Sequence, residues 1–397
     1  MDEDDAMEKA TSIAELKKFF KDFTAAEAPG RIEFLGNHLD YNGGRVVGTA
    51  IDAIVYALAK PLDNNKVRLF SETFEDAVIE STLERLDRKE GREFWANYPI
   101  GILKVLQMEG LAPPSGFELI LTTDLPQSAG LSSSAAVELA TALALLQLGN
   151  HNLEKEELAR LCRKAENEFV GLPCGILDQG VSAHGEKDHL VIIDCSKEHF
   201  ETVPIPKQTE FWIFDSGIKH DLVDSLYKTR HRECLDALDC LRKNHPQLPF
   251  LAAATIQMLE SKQLPEKLKR RARHVIEETA RVDKAVKLLR SGGAPHEIGT
   301  LLFESHESSK ALFENSMPEL DFLVESLGTC HGVLGARLTG GGFGGAVMGW
   351  TTKQFSKSSA EKVAGSYEEK FGYSPKVHNF KASDGARAID PLKKPMD

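Results

Sequence analysis

Between residues 31 and 42 the sequence gathers side chains that bind hydroxyl or phosphate groups. An arginine, a histidine, an aspartate and two asparagines lie around a glycine-rich loop, at Arg31, Asn37, His38, Asp40 and Asn42. This density of hydrogen-bonding groups suits a polyol or a phosphate, because such ligands are oriented by a few placed polar groups. Taken alone, Asp40 is more simply explained as a turn residue.

A second stretch, residues 126–136, has the composition of a phosphate-binding loop. It reads Pro-Gln-Ser-Ala-Gly-Leu-Ser-Ser-Ser-Ala-Ala and precedes a segment that is apolar nearly all round. Glycine lets a backbone approach a ligand closely, serines offer hydroxyl groups and helix caps, and a helix N-terminus attracts phosphate. A plain turn with a helix N-cap explains the same residues. The pattern G-x-x-x-x-G-K-S/T does not occur, which excludes a Walker-type loop.

A third stretch, residues 340–345, reads Gly-Gly-Gly-Phe-Gly-Gly and formally satisfies G-x-G-x-x-G. A dinucleotide fingerprint of this form opens a βαβ unit, whereas here the loop runs directly into an apolar, strand-like stretch. The sequence alone leaves two interpretations open. The loop either lies tightly against a ligand or is an ordinary hairpin turn.

Carboxylates form the fourth group of candidates. Residues 171–179 read Gly-Leu-Pro-Cys-Gly-Ile-Leu-Asp-Gln, so Asp178 is either a helix cap or a carboxylate placed for chemistry. Upstream, Glu166 and Glu168 end a predicted helix. Residues two apart on a helix point to different faces, so only one of them can face the loop around Ser134.

Hydrophobic periodicity predicts the elements that must position these residues. Strands are predicted around residues 46–58, 66–71, 117–123, 191–193, 211–214 and 376–381. Helices are predicted over residues 12–23, 94–109, 132–148, 155–170 and 355–371, and residues 220–330 are mostly helical. Strands that come first and helices that follow favour an α+β fold with two lobes, divided near residues 200–210.

Composition excludes several classes of protein. The 397 residues are 42% hydrophobic and 27% charged, which indicates a folded chain of two or three domains. No apolar run of about 18 residues occurs, which excludes a membrane span. The net charge of −12 disfavours nucleic-acid binding. Six cysteines without a C-x-x-C pair, and an acidic start unlike a signal peptide, predict a cytoplasmic protein.

Together these segments resemble the galactokinase branch of the GHMP small-molecule kinases, over essentially the whole chain. The three glycine-rich motifs occur in the family's order, and three shorter stretches also match, at residues 94–98, 174–179 and 382–387. The resemblance implies an N-terminal lobe like ribosomal protein S5 domain 2 in residues 1–205. It implies a ferredoxin-like C-terminal lobe in residues 206–397, and a monomer is common in this branch.

In this fold ATP and a sugar would meet in the cleft between the lobes. The resemblance assigns ATP contacts to Trp95, Gly130, Ser132, Ser133 and Ser134. It assigns Mg²⁺ to Ser134 and Glu166, two oxygen ligands that phosphate and water would complete.

The resemblance also implies how the reaction proceeds. Asp178 matches the catalytic carboxylate that accepts the proton of the anomeric hydroxyl, and Arg31 matches the arginine beside it, which offsets charge on the transferring phosphoryl group. Sugar contacts fall on Asn37, His38, Asp40, Gly175 and Tyr227. Gly341 and Gly342 would close the floor of the site.

The chain departs from the family signature at the sugar. Asn37 replaces the usual glutamate, which accepts a hydrogen bond from the C6 hydroxyl, and Glu33 replaces the usual asparagine. With Arg45 nearby, a lost anion and a gained cation would suit a carboxylate at C6, as in galacturonate, unless Glu33 points into the site. The reaction that the resemblance implies is C1 phosphorylation of galactose, with Asn37 still bonding the C6 hydroxyl; a C6-modified galactose such as galacturonate and a non-catalytic sugar sensor are the alternatives.

Overall fold

A computed structural model describes residues 23–74, 78–126, 130–218, 223–260 and 264–389 of the protein. The helix predicted over residues 12–23 lies outside this part of the chain, apart from Phe23. Residues 127–129 of the serine-rich loop also lie outside it.

The described strands are, in chain order, β1 (Thr24–Leu35), β2 (Arg45–Pro61), β3 (Lys66–Ser71), β4 (Ile79–Thr82), β5 (Phe117–Thr123), β6 (His189–Asp194), β7 (His199–Pro204), β8 (Thr209–Asp215), β9 (Val333–Thr339), β10 (Ala346–Thr352), β11 (Lys376–Phe380) and β12 (Arg387–Ile389).

The described α-helices are α1 (Asn97–Met108), α2 (Ser133–Leu148), α3 (Lys155–Ala165), α4 (Leu177–His184), α5 (Val223–Arg242), α6 (Ile256–Glu260), α7 (Glu266–Ser291), α8 (Pro295–Ser308), α9 (Pro318–Gly328) and α10 (Lys357–Phe371). Short 3₁₀ turns cover Glu72–Phe74, Gly91–Ala96 and Leu251–Ala253, and π-helical turns cover Glu166–Val170 and Ser309–Phe313.

The first sheet carries the polar stretch of residues 31–42, on β1 and on the loop of residues 36–44 that follows it (the signature loop). Its order is β12-β1-β2-β5-β3-β4, with β6 paired to β2 and β7 paired to β6. All pairs are antiparallel except β3 with β5. Helix α2 packs on β1 and β2 and also contacts α1. Because it is covered on several sides, its apolar residues need no single face.

The second sheet has the order β11-β8-β10-β9 and is antiparallel throughout. With the helices between its strands it follows the β-α-β-β-α-β pattern of ferredoxin-like folds. The turn between β9 and β10 contains residues 340–345, so this glycine-rich loop is a hairpin connection.

The two sheets meet where β1 and β9 end. The Glu33 N–H donates to the Thr339 hydroxyl over 3.1 Å, and that hydroxyl lies 3.2 Å from the Glu33 carbonyl. One hydrophobic core continues between the sheets, since the Phe34 ring packs edge-on against Phe211 and Trp350. The polar stretch of residues 31–42 and the glycine-rich hairpin are therefore held next to each other.

The predicted α+β class is confirmed, and the element predictions differ in detail. The segment 94–109 is a 3₁₀ turn followed by α1, and the segment 155–170 is α3 followed by a π-helical turn. Strand β12 returns from the end of the described chain to pair with β1 in the first sheet. The boundary between residues 205 and 206 stays a prediction. Among the described helices, none has the length and apolarity of a membrane span.

Candidate active site

A cavity of about 220 Å³ lies at the junction of the two sheets. Strand β1 and its following loop, the turn before α4, helix α5 and the β9–β10 hairpin all contribute to its walls. The lining residues are Arg31, Glu33, Gly36, Asn37, His38, Asp40, Glu166, Leu172, Pro173, Cys174, Leu177, Asp178, Tyr227, Gly340 and Gly341. Segments far apart in the sequence thus form one small site into which several charged and polar side chains converge.

Asp178, in the first turn of α4, is held by two partners from different elements. Its Oδ1 accepts from Arg31 Nε at 2.8 Å and lies 2.7 Å from the Arg31 Nη2. Its Oδ2 accepts a hydrogen bond from the Ser132 hydroxyl. Arg31 is 5% exposed and Asp178 27% exposed, so the guanidinium is fixed while the carboxylate faces the cavity. This geometry orients one carboxylate toward a ligand.

The serine-rich loop is tied to the same arginine. Arg31 Nη1 donates to the Gly130 carbonyl over 2.7 Å, and the Arg31 N–H donates to the Leu131 carbonyl over 3.0 Å. Ser132 adopts a left-handed conformation at φ 54°, so α2 begins at Ser133, one residue later than predicted. The N-terminus of this 16-residue helix therefore opens beside Asp178, where its dipole favours an anion.

Ser134 and Glu166 lie together beside this helix N-terminus. The Ser134 side chain is hydrogen-bonded to the Glu166 carboxylate, which also accepts from Gln179 Nε2 at 2.6 Å. Burial raises the pKa of Glu166, and the nearby charge of Asp178 adds to the effect. Glu168, two residues on, is exposed, as the helix spacing predicted. A hydroxyl and a carboxylate are hard oxygen ligands, so this pair fits Mg²⁺.

One wall of the cavity carries His38, Asp40 and Tyr227. His38 Nδ1 lies 2.9 Å from the Tyr41 hydroxyl and Nε2 lies 3.0 Å from the Gly341 carbonyl. Burial lowers the pKa of His38 to about 3, so the imidazole is neutral, donating through Nε2 and accepting through Nδ1. Burial, with the nearby charge of Asp178, raises the pKa of Asp40 to about 7.

Two glycines leave room for these side chains. A Cβ on Gly175 would lie 2.2 Å from Asp40 Oδ2, and a Cβ on Gly341 would lie 3.1 Å from the Tyr227 ring. Gly175 therefore contacts Asp40 behind the cavity wall, and Gly341 lies against Tyr227. The hairpin loop, besides being a turn, thus forms a wall of the cavity.

The Asn37 side-chain amide is fully hydrogen-bonded within the protein. Its Nδ2 donates to the Gly340 carbonyl over 2.8 Å and lies 3.4 Å from both oxygens of Glu33. Its Oδ1 accepts from Asn315 Nδ2 at 2.9 Å and from the Ser309 hydroxyl at 3.2 Å. A neutral amide offers two donors and two acceptor sites, and all four have a partner here.

Glu33 points into the site, which answers the question that its position in the sequence left open. It is 3% exposed and lines the cavity beside Asn37. The Gly340 N–H donates to Glu33 Oε2 over 2.9 Å, and Arg337 Nη2 lies 3.6 Å from Oε1. Burial raises the pKa of Glu33, while the charges of Arg337 and Arg31 act in the opposite direction.

Arg45 faces away from the cavity. Its Nη1 lies 2.6 Å from Asp283 Oδ1 and its Nε lies 3.9 Å from Asp194 Oδ2. The argument for an anionic sugar required a lost anion and a gained cation beside Asn37. The structure keeps a carboxylate there, from Glu33, and directs the Arg45 cation elsewhere.

Trp95 is 9% exposed, in the 3₁₀ turn that leads into α1. It is not among the described residues that line the cavity. Its assignment to ATP stays a prediction, as do the assignments of Gly130 and Ser133, both of which are exposed at the loop.

The motifs did not point to Glu278, which anchors the signature loop from α7. Its Oε1 accepts the N–H groups of Gly36 and Asn37 over 3.1 and 3.2 Å and the Ser305 hydroxyl over 2.7 Å. Its other oxygen accepts from Arg281 Nε at 2.7 Å. Nothing in the local pattern of α7 distinguishes Glu278 from the other acids on the same helix, Glu266, Glu277 and Asp283, so the sequence alone did not indicate its role.

Comparison with known proteins shows that two such sheets around a shared cavity are the fold of a class of small-molecule kinases. Family models described as the GHMP kinases N terminal domain and the GHMP kinases C terminal match residues 97–186 and 284–372. A model described as the galactokinase galactose-binding signature matches residues 15–61. A mevalonate kinase from Methanococcus jannaschii, 19% identical, has the same fold with a TM-score of 0.65, covering 92% of this chain and 99% of that one.

More similar proteins narrow the class. A galactokinase of Thermotoga neapolitana is 37% identical over 91% of this chain and 99% of its own length. One of Staphylococcus carnosus is 37% identical over 92% and 95%. The crystal structure of Lactococcus lactis galactokinase complexed with galactose matches with a TM-score of 0.88 at 33% identity, covering 93% of this chain and 96% of that one.

The chain therefore belongs to the galactokinase family of the GHMP kinases, as its motifs predicted. It is an ATP-dependent phosphotransferase with an alcohol group as acceptor.

Proposed function

We propose that the protein phosphorylates the anomeric C1 hydroxyl of galactose, giving galactose 1-phosphate and ADP. The observation that carries this proposal is the meeting of Asp178, Arg31 and the N-terminus of α2 at one small cavity. At about 220 Å³ the cavity is smaller than the pockets that hold drug-sized ligands, ~300–1,000 Å³, and suits a small polyol. The similar galactokinases support galactose as that polyol.

In this mechanism Asp178 accepts the proton of the C1 hydroxyl as the oxygen attacks the γ-phosphorus of ATP. Arg31 fixes the orientation of Asp178 and offsets negative charge on the transferring phosphoryl group. The free N–H groups at the start of α2, with Ser132, Ser133 and Ser134, bind the triphosphate.

The proposal includes Mg²⁺, held by Ser134 and Glu166. The buried carboxylate and adjoining hydroxyl fit a hard cation, with phosphate and water as further ligands. When bound, Mg²⁺ neutralises charge on the phosphate oxygens. Asp40, His38 and Tyr227, which line the cavity, are the proposed sugar-binding residues, and Gly175 contributes by leaving room for Asp40.

The galacturonate alternative is disfavoured by the charges at the cavity. Burial, together with the charge of Asp178, already raises the pKa of both Asp40 and Glu33 in this desolvated site, so a sugar carboxylate would add a further unfavourable negative charge, and Arg45 is paired elsewhere. The sensor alternative is disfavoured because Asp178, Arg31, Ser134 and Glu166 are all present in contact with one another or with the loop.

The proposal also covers the oligomeric state, the cellular compartment and the partners of the protein. We expect a monomer that acts in the cytoplasm, without nucleic-acid or membrane partners. All six cysteines are free thiols, which is typical of a reducing compartment.

The test is sugar-dependent ADP release by the purified protein with Mg-ATP. The panel contains galactose, galacturonate, N-acetylgalactosamine, glucose, arabinose and glucuronate. The highest kcat/KM is expected with galactose. Turnover confined to galacturonate would transfer the assignment to a C6-modified sugar, and silence on all six sugars would favour the sensor.

A further inference from the structure

The cavity contains a buried carboxylate that the proposed mechanism does not use. Glu33 neither accepts the reacting proton nor lies among the candidate Mg²⁺ ligands, yet it lines the cavity and is 3% exposed. A buried carboxylate is costly unless it is paired and hydrogen-bonded, so its retention at a ligand site needs a reason.

We propose that Glu33 selects the sugar by accepting a hydrogen bond from a neutral hydroxyl at the end far from C1, and that it excludes sugars with a carboxylate there. This inference rests on the proposed function and names the residue that determines specificity. Asn37, to which the family resemblance assigned the sugar contact, has a structural role instead.

The position of Glu33 along β1 supports this assignment. Arg31 and Glu33 are two residues apart in a regularly paired part of the strand, opposite Ala50 and Gly48. Residues at this spacing lie on the same face of a sheet, roughly 7 Å apart. Arg31 holds Asp178, the proposed base at C1, so Glu33 lies beside the opposite end of a bound monosaccharide.

The hydrogen-bonding capacity of the two side chains points the same way. The amide of Asn37 already has a partner for each donor and acceptor, so a sugar could bind it only by displacing one of them. The carboxylate of Glu33 offers about four acceptor sites. One close hydrogen bond, from the Gly340 N–H, occupies one of these sites. The longer contacts with Asn37 leave acceptor capacity for a sugar hydroxyl.

The surroundings of Glu33 hold it in place. Arg337 lies on β9 of the second sheet and Gly340 lies in the β9–β10 hairpin, whereas Glu33 lies on β1 of the first sheet. Arg337 is fully buried, and its charge opposes the rise in the pKa of Glu33 that burial causes. A sugar hydroxyl that donates to Glu33 would further favour the ionised form, and an ionised carboxylate in a site shielded from water repels a second carboxylate.

The experiment compares Glu33→Gln with the wild-type protein on four sugars: galactose, 6-deoxygalactose, 4-deoxygalactose and galacturonate. Glu33→Gln keeps the shape of the side chain and removes its charge. We expect KM for galactose to rise about 10–100-fold, the usual effect of losing a charge-assisted hydrogen bond, with KM for ATP unchanged. The penalty should disappear on one of the two deoxy sugars, because that sugar lacks the hydroxyl concerned.

Galacturonate provides the opposite readout. Removing the negative charge should raise kcat/KM for galacturonate, relative to that for galactose, at least about 10-fold. An equal effect of Glu33→Gln on all four sugars, or no effect on any, would overturn the inference. Inactivity of the wild-type protein on galactose would instead contradict the proposed function.

Further variants separate recognition from folding. Glu27→Gln is the matched control, since Glu27 lies on the same strand but pairs with Arg387 at 2.7 Å outside the cavity. It should leave all four sugars unchanged. Glu33→Asp keeps the charge and should still exclude galacturonate, even if galactose binds more weakly.

Asn37→Ala tests the other half of the inference. This variant should lower the melting temperature, because four internal hydrogen bonds are lost, while keeping the preference for galactose over its deoxy forms. A loss of that preference in Asn37→Ala, together with its retention in Glu33→Gln, would assign the hydroxyl to Asn37 and contradict our proposal.

Discussion

At the scale of single residues, the proposed chemistry depends on how Asp178 is held. Arg31 contacts one of its oxygens through two nitrogens and Ser132 donates to the other. Such a carboxylate has one orientation toward a bound sugar, because both of its oxygens are already fixed. Proton transfer depends on that geometry, since the base must lie within hydrogen-bonding reach of the proton it accepts.

Asp178→Asn should therefore lower kcat about 10²-fold or more, because an amide cannot accept the proton of the C1 hydroxyl. KM for galactose should change little, since the amide keeps the shape of the side chain. Steady-state ADP release measures both constants. Asp283→Asn, an exposed carboxyl paired with Arg45, is the control and should behave as wild type. A near-normal kcat for Asp178→Asn would mean that Asp178 only positions the sugar.

The sequence predicted a good part of this residue-scale geometry. Motif residues far apart in the chain, such as Arg31 and Asp178 or Ser134 and Glu166, are in contact in the structure. The direction of the Glu33 side chain could not be predicted, because it depends on the position of Gly340 in the other sheet. Arg45 was a misleading candidate for the same reason, since its partner Asp283 lies on α7.

At the scale of elements, α7 stabilises the signature loop through Glu278. This carboxylate is fully buried and holds the N–H groups of Gly36 and Asn37. Local periodicity predicted a helix here but could not predict which acid on it contacts a loop some 240 residues earlier. Contacts of this range depend on how the elements pack, which short sequence patterns do not encode.

Glu278→Gln should destabilise the protein in a pH-dependent way. Burial alone would raise the pKa of Glu278, but the charge of Arg281 and further neighbours outweighs it and lowers the pKa to about 2 from the usual 4.5. A carboxyl whose pKa falls on folding stabilises the native state above its unfolded pKa, and this contribution is lost as the pH falls from 4.5 toward 2.

The expected loss is about 2–4 kcal/mol at pH 7 and clearly smaller at pH 3.5. Urea unfolding at the two pH values measures it. Glu277→Gln, the neighbouring residue on the same helix, should stay within about 0.5 kcal/mol of wild type at both. A loss for Glu278→Gln that does not depend on pH would contradict the electrostatic explanation.

The close packing of α8 against β9 leads to a second prediction at the scale of elements. A Cβ on Gly299, in α8, would lie 2.0 Å from the Leu334 carbonyl oxygen. Gly299→Ala should therefore cost about 1–3 kcal/mol or more, because helix and strand must separate. Gly365, in α10, has open space at the same point, so Gly365→Ala should stabilise by about 0.5–1 kcal/mol. Thermal melting of both variants tests this prediction, and melting temperatures that shift in the same direction in both variants would contradict it.

At the scale of the whole molecule, the site is built from both sheets and therefore needs both to be folded. Asp178 and Glu33 come from the first sheet and its helices, whereas Gly340 and Gly341 come from the second. The sequence predicted the two lobes from the change in periodicity near residues 200–210. It did not predict that β12 returns to β1, because a three-residue strand has too little pattern to be recognised.

We expect the protein to be a monomer of 43.8 kDa in solution, because the resemblance to the galactokinase branch implies one. Light scattering coupled to size exclusion measures the mass directly. A stable species of twice this mass, present at low protein concentration, would contradict the expectation.

The pairing of β12 with β1 also has a consequence for how a cell makes this protein. Ala388 faces Ala26 across the first sheet, so the ribosome delivers the two partners at widely separated times. Until residue 388 has emerged, one edge of β1 lacks this partner, and an open strand edge invites pairing with other chains. The nascent polypeptide also carries Arg31 and the serine-rich loop long before it acquires Gly340 and Gly341. Binding of the sugar can therefore begin only late in translation, and a stalled ribosome would hold a chain with a phosphate loop but an incomplete sugar site.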